Sequence, residues 1–350
     1  MLHQQVKDYY GAELTGTTDL KTDACSTLDA PAPHLRKAIA RVHAEVSSRY
    51  YGCGLAVPTL LEGLKVLDLG CGAGRDVFTL ASLVGPNGHV TGVDMTPEQL
   101  DVARAHEAWH AEQFGYEAPN TRFLEGYLET LDALDLEPSS FDLIISNCVF
   151  NLCTDKPAVF RAAHRLLKPG GELYFADVYA DRRIPEELAA DPVLYGECLS
   201  GALYWNDYQA IAKAAGFTDP RVFAHRPLSI IDPALMVRVE PIRFASVTAR
   251  LMKLDGLDAA CEDYGQAVIY KGGIEGMEQA FTLDADHNIE VGKVFPICGN
   301  SLAMLMDTRF AAFFEVVGDG NTHFGPFPGC AAPDVFAEVE CLEPAIGGCC

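Results

Sequence analysis

The sequence predicts a doubly wound, mainly parallel α/β sheet followed by a smaller α+β unit. From Lys65 to about residue 180, short apolar runs alternate with helical stretches, and repeated strand–helix units require a parallel sheet covered on both faces. A glycine-rich turn, DLGCGAG at 68–74, falls between the first such run and the first helix. After about residue 220 the pattern changes to strand-like pieces followed by a Gly-, Pro- and Cys-rich end.

In chain order, residues 32–50 read as one amphipathic helix, with Leu35, Ile39, Val42 and Val46 on one face and Pro33 suited to a first turn. The α/β core then reads KVLDL, DVFTLASLV, HVTGVD, PEQLDVARAHEAWHAEQF, RFLE, FDLIIS, KPAVFRAAHRLL and ELYFADV. Thr96, Pro97 and Gln99 form a capping-box start, and KPGG at 168–171 reads as a turn before the fifth strand. The pieces FASVTARLMK and QAVIYKGG are assigned to the second unit. The expected division is an N-terminal segment and helix over 1–50, the α/β domain over 51–220, the α+β domain over 221–325 and a Cys-rich tail over 326–350. The last stretch is expected to be loosely ordered.

A chain of 350 residues with 49% hydrophobic content can bury one large core or two smaller ones. No run approaches the roughly 18 apolar residues of a membrane span, and the start lacks a basic region followed by an apolar stretch. A soluble, cytosolic protein is therefore expected. The formal charge of −23 argues against nucleic acid or an anionic membrane as partner. Twelve cysteines are many for a reducing compartment, where stable disulfides are rare. No CxxC pair occurs and no spacing matches a zinc finger, which leaves metal or metalloid binding, redox cycling or simple burial of each thiol.

The glycine motif is GxGxG, lacks the third glycine of GxGxxG and is preceded by Asp68; Asp94 closes the next strand, where a carboxylate can accept from both ribose hydroxyls of an adenosine. LDLGCGAG, GVDM and LLKPGGELYF together resemble the class I, Rossmann-like S-adenosylmethionine-dependent methyltransferases over roughly residues 60–180. That resemblance implies that Gly70, Gly72 and Gly74 form the donor loop, with Asp68 near the donor's amino acid moiety and Asp94 on its ribose. It also implies Met95 against adenine and backbone at Leu128 near the adenine edge. Asn147, past the fourth strand, either borders the ligand at the sheet's carboxyl edge or caps the next turn. His106-Glu-Ala-Trp-His110 spells HExxH, but it falls in the helix after the second strand, away from that edge, and no third ligand follows closely.

Cys148 follows Asn147, Cys198 lies in the crossover after the fifth strand and Cys53 in the lead-in beside Tyr50 and Tyr51. Three thiolates from separate segments can converge on one soft centre. RYYGCGL, GRDV, TGVDMT, SNCVFNL, GGELYFADVY and GECLSGALYW, with DACSTLDAPAPHLRKAI and the terminal GGCC, resemble the arsenite methyltransferases over nearly the whole chain. The resemblance implies arsenic(III) ligation by Cys148 and Cys198, with Cys53 as a further ligand. It also implies a transient Cys25–Cys53 disulfide that thioredoxin or glutathione, as external thiol reductant, resets. The implied substrates are arsenite and methylarsenite, taken as thiol complexes; repeated cycles give mono- and dimethylated arsenicals, with a third methylation left open. Tyr51 either stabilises the sulfonium with its ring face or packs on the first helix. The tail cysteines, Cys330, Cys341, Cys349 and Cys350, either capture arsenite or are inert. A monomer is expected. A carbon or oxygen methyltransferase of quinones or sterols, and a non-enzymatic metalloid-binding protein, are the alternatives.

Overall fold

The computed structural model describes residues 31–50, 56–189, 191–196 and 198–328. The first segment forms two short helices, α1 (Pro33–Ile39) and α2 (Ala44–Ser48), rather than one. His43 breaks the helix by taking an extended conformation and capping α2 through its ring nitrogen, which accepts the Glu45 N–H. The apolar face persists across the break, since Val42 and Val46 are buried in the same cluster as Val77 and Phe78 and Leu35 packs against it.

The core then runs β1 (Lys65–Leu69), α3 (Arg75–Val84), β2 (His89–Asp94), α4 (Pro97–Ala105), α5 (Glu107–Phe114), β3 (Thr121–Glu125), β4 (Phe141–Asn147), α6 (Lys156–Leu166) and β5 (Leu167–Ala180). The helix expected after β2 is divided at His106 into α4 and α5. The Thr96 cap uses different chemistry from the expected box: the Thr96 N–H goes to Asp94 Oδ1 at 2.8 Å, because a charged carboxylate two residues away is the stronger acceptor. KPGG does not separate α6 from the strand. It bulges within β5, whose ladder with β4 steps from Phe141↔Leu167 to Leu143↔Glu172.

Beyond β5 come β6 (Leu203–Tyr204), α7 (Trp205–Ala214), β7 (Arg221–Pro227), α8 (Pro233–Val239) and β8 (Phe244–Met252). The main sheet has the order β3-β2-β1-β4-β5-β8-β7, with β6 beside β5. β1 to β6 pair in parallel, whereas β8 runs antiparallel to both β5 and β7. The boundary expected near 220 is thus displaced: β7 and β8, with FASVTARLM, extend the main sheet. The reason is a nine-residue register, Glu172↔Met252 through Ala180↔Phe244, that only tertiary pairing creates.

The second unit contains β9 (Glu262–Asp263), β10 (Ala267–Tyr270), β11 (Ala280–Asp284), β12 (His287–Glu290), β13 (Val294–Pro296), α9 (Gly299–Met306), β14 (Phe314–Val317) and β15 (Gly325–Pro326). β13-β10-β14 form an antiparallel sheet and β11–β12 a hairpin, around a core of Val268, Tyr270, Phe281, Phe310 and Phe314. Buried charge joins the two units. Glu172 of β5 meets Arg250 Nε at 2.6 Å and Arg309 Nη2 at 2.6 Å, and Arg250 also donates to the Leu283 carbonyl at 2.6 Å. Burial pushes the Glu172 carboxyl up, but the two guanidiniums outweigh it and hold it below the usual carboxylate range.

Replacing Glu172→Gln leaves both cations uncompensated and should cost about 3–5 kcal/mol in urea unfolding. Because the folded-state pKa is depressed, the carboxylate's stabilisation is complete above the ordinary Glu range and is lost as pH falls through the lowered value. The variant's stability should accordingly fall less steeply on acidification than that of the wild type.

Candidate active site

A cleft opens at the carboxyl ends of β1, β2 and β4, the edge where ligands of doubly wound sheets bind. It is lined by Asp68, Gly70 and Gly72 from β1 and its turn, Asp94 and Met95 from the end of β2, Leu128 from a 3-10 turn, and Asn147 and Cys148 from the end of β4. Gly74 lies outside the lining; at φ +88° it caps α3, and a Cβ there would sit 3.0 Å from the Phe123 ring. Gly70 has φ +80°, and a Cβ would come within 2.5 Å of Val149, so the turn closes only on glycine. Asp94 Oδ2 accepts the Gly72 N–H at 2.8 Å while Oδ1 takes that of Thr96, fastening the first loop to the second.

Several lining groups carried no assigned role in the sequence reading. Asn147 Nδ2 donates to the Tyr50 hydroxyl at 2.6 Å and approaches Asp76 Oδ2 at 3.4 Å, and the Arg75 guanidinium lies 3.6 Å over the Tyr50 ring. Arg75 and Asp76 open α3 directly after the glycine turn, a position that the motif marks but whose neighbours only folding supplies. Tyr51, Cys25 and Cys53 lie outside the described residues.

The cleft concentrates negative charge. Burial, then the Asp76 and Asp94 charges, push the Asp68 carboxyl well up. Burial also raises Asp76, against the pull of Arg75 and Asn147, and raises Asp94, against the N–H groups of Gly72 and Thr96. Asp76 Oδ1 is buried with no hydrogen-bond partner among the described residues, 3.7 Å from Arg75. Two buried carboxylates, Asp68 and Asp76, and the half-buried Asp94 beside the lining Arg49 and Arg75 favour a ligand carrying positive charge.

On the opposite wall, Cys148 donates its N–H to the Ala176 carbonyl at 2.8 Å and takes φ +56°. Cys198, also left-handed at φ +59°, is fully buried and directs its Sγ at the Cys148 carbonyl, 3.6 Å away. Positive φ at a non-glycine residue is uncommon and gathers at functional sites. Both cysteines belong to one apolar cluster, against which Met95 packs. Cys148 is disulfide-bonded, whereas Cys71, Cys153, Cys198 and Cys298 are thiols. Cys153 also lines the cleft, and burial pushes its thiol up.

The HExxH histidines do not converge. His110 is buried on the Phe78 ring, its Nδ1 bonded to the His106 carbonyl at 2.8 Å and its Nε2 accepting the His43 N–H at 3.1 Å, so both ring nitrogens are committed. His106 instead groups with His43 and Glu45, whose ligand atoms lie within 4.8 Å of one another, while His43 Nδ1 caps α2.

Comparison with known proteins matches residues 60–216 to a methyltransferase domain and residues 264–342 to the arsenite methyltransferase C-terminal domain. The arsenite methyltransferase of Aquipseudomonas alcaligenes is 57% identical over 94% of this chain and 94% of its own length. That of Homo sapiens is 40% identical over 100% of this chain and 96% of its own. The chain belongs to the arsenite methyltransferase family. Its fold matches the crystal structure of an arsenic(III) S-adenosylmethionine methyltransferase from Chlamydomonas reinhardtii with a TM-score of 0.82 at 47% identity, covering 85% of this chain and 100% of that one. The family's donor, S-adenosylmethionine, suits the cleft: it carries a sulfonium and an ammonium, which a carboxylate-rich wall can accept, and the glycine turn admits close approach of backbone. Asp68, Asp94, Met95, Leu128 and Asn147 all line this cleft.

Gly70→Ala and Asp94→Ala should each weaken S-adenosylmethionine binding about tenfold or more, near 1.4 kcal/mol, by isothermal calorimetry. Burial lowers His110 from its ordinary range to about 4, against the His106 carbonyl bond that favours its charge. Protonation therefore favours the unfolded chain, so stability present above about pH 6.5 is lost as pH falls toward 4. His110→Phe should flatten that part of the thermal-denaturation profile.

Proposed function

We propose that this enzyme methylates arsenic(III) held on the thiols of Cys148 and Cys198, with Cys53 as third ligand, at the inner end of the donor cleft. The observation that carries the reading is the meeting of two cysteines 50 residues apart at the donor's edge, one lining the cleft and the other against its carbonyl. Exchange of arsenite hydroxyls for cysteine sulfur releases water and leaves a three-coordinate arsenic with a lone pair, and soft sulfur ligands select such a centre. S-adenosylmethionine, when bound, supplies an electrophilic methyl group. The lone pair is the nucleophile, so no general base is required; among the described residues lining the cleft there is no histidine. Orientation by the thiols then supplies the rate, up to about 7–11 kcal/mol in favourable cases.

Transfer takes arsenic to the pentavalent state. Two thiols return it to arsenic(III) by forming a disulfide, which an external dithiol or glutathione reduces, and thioredoxin is the matching protein reductant. The disulfide at Cys148 supports redox as well as ligand chemistry at this wall. Cys25 and Cys53 complete the cycle in this reading, and the setting is a reducing cytoplasm. Tyr51 is the sulfonium contact in this reading.

The reduced enzyme incubated with arsenite, S-adenosylmethionine and a dithiol should form methylarsenicals detectable by mass spectrometry. Cys148→Ser and Cys198→Ser should each lower that rate by about 100-fold, near 2.7 kcal/mol, with donor affinity retained. Wild-type rates in both variants would instead favour a carbon or oxygen acceptor. Arsenite binding without donor consumption would indicate a metalloid-binding protein.

A further inference from the structure

We propose that Asp177 and Asn151 form a clamp that presets the spacing of the Cys148 and Cys198 thiols, making them positioning residues for the transfer. The inference rests on the assignment of those thiols as the arsenic ligands. Asp177 follows Ala176, the residue whose carbonyl receives the Cys148 N–H. Its carboxylate is 1% exposed. Oδ2 accepts the Asn151 N–H at 3.0 Å, and Oδ1 accepts Asn151 Nδ2 at 2.7 Å and the Val178 N–H at 2.8 Å. Asn151 Nδ2 also donates to the Val178 carbonyl at 2.5 Å. The chain from Cys148 to Asn151 is therefore pinned to β5 at both ends. In between it must turn through the left-handed Cys148 and the 3-10 turn Phe150–Leu152.

The segment bearing Cys198 takes its position from this pinned turn through three contacts. Cys198 Sγ meets the Cys148 carbonyl, the Tyr195 hydroxyl donates to the Leu152 carbonyl at 2.8 Å, and Gly201 packs so closely that a Cβ would lie 2.1 Å from the Asn151 oxygen. A buried carboxylate is a poor means of stabilising a fold, since apolar groups of the same volume serve equally well. Burial pushes Asp177 up to about 7, with the Val178 and Asn151 N–H groups and Lys156 opposing the shift. What the carboxylate supplies, and an apolar side chain lacks, is a fixed bond angle to the turn that carries the thiol.

The test compares Asn151→Ser, Asp177→Asn and the mild Tyr195→Phe with Leu283→Ala, which destabilises the second unit without touching this wall. All are studied as reduced full-length protein well below their unfolding temperatures. For the clamp variants, S-adenosylmethionine affinity should stay within about twofold, while kcat for arsenite methylation falls about 10- to 100-fold. Phenylarsine oxide, a probe that chelates two thiols, should dissociate about tenfold faster. Tyr195→Phe should show the same pattern at smaller amplitude and carries the comparison if the other two do not fold. If the variants match Leu283→Ala in rate and in probe dissociation, the clamp is overturned as a purely structural feature. Wild-type methylation by Cys148→Ser and Cys198→Ser would overturn the thiol assignment itself, and the clamp with it; inactive cysteine variants beside wild-type clamp variants would overturn the clamp alone.

Discussion

The parallel ladder that sets β4 between β1 and β5 governs this molecule, because helices cover both faces of the sheet and leave the carboxyl ends of those strands as the place for polar loops. Strand β1 ends in a glycine turn, β2 in Asp94 and β4 in Asn147–Cys148, and all three endings share one edge through the registers Asp68↔Gly92 and Leu69↔Ser146. A one-residue slip of β4 would turn Asn147 away from the cleft and bring Cys148 into its place. The Ser146 hydroxyl, bonded to the Leu69 carbonyl at 2.8 Å, adds a side-chain lock to that register.

The two walls of the cleft differ in character, and the difference suits the chemistry. On the carboxylate side desolvation raises Asp68, Asp76 and Asp94, a cost that a cationic ligand relieves. The thiol side is apolar, with Cys148 and Cys198 among Leu152, Leu194 and Tyr195. Cys153, in the neighbouring core cluster, has its thiol pushed up by burial and so stays neutral. Left-handed backbone at both Cys148 and Cys198 is a local strain held in place by the packing around it.

The second unit is fused to this scaffold rather than tethered beside it. Arg221, on β7, chelates Asp219 and reaches Asp284 at 3.0 Å, and Asp284 in turn accepts from His287 at 2.7 Å. Together with Glu172, Arg250 and Arg309, these bonds join β5, β7 and β8 to the β11–β12 hairpin and to the chain after α9. Such networks position more than they stabilise, since their desolvation cost nearly cancels their attraction.

The periodicity of residues 65–180 and the GxGxG–Asp spacing sufficed for the α/β core and for a glycine turn at its carboxyl edge, because both depend on local backbone requirements that each short segment carries alone. The same locality explains the placing of Asn147 and Cys148 at the end of β4. Features set by distant partners were not legible. FASVTARLM reads as a generic strand, and only its register with β5 makes it part of the main sheet. His43 looks like part of a continuous helix until its ring caps the next one. Tyr50 and Asp76 acquire meaning through contacts with Asn147, 97 and 71 residues away in sequence, and Arg75 through the Tyr50 ring. Asp177 is one more polar residue in an apolar run until folding closes it over Asn151. Sequence determined which residues could do the chemistry. The tertiary structure decided which of them meet, because non-local hydrogen bonds and strand registers have no local signature.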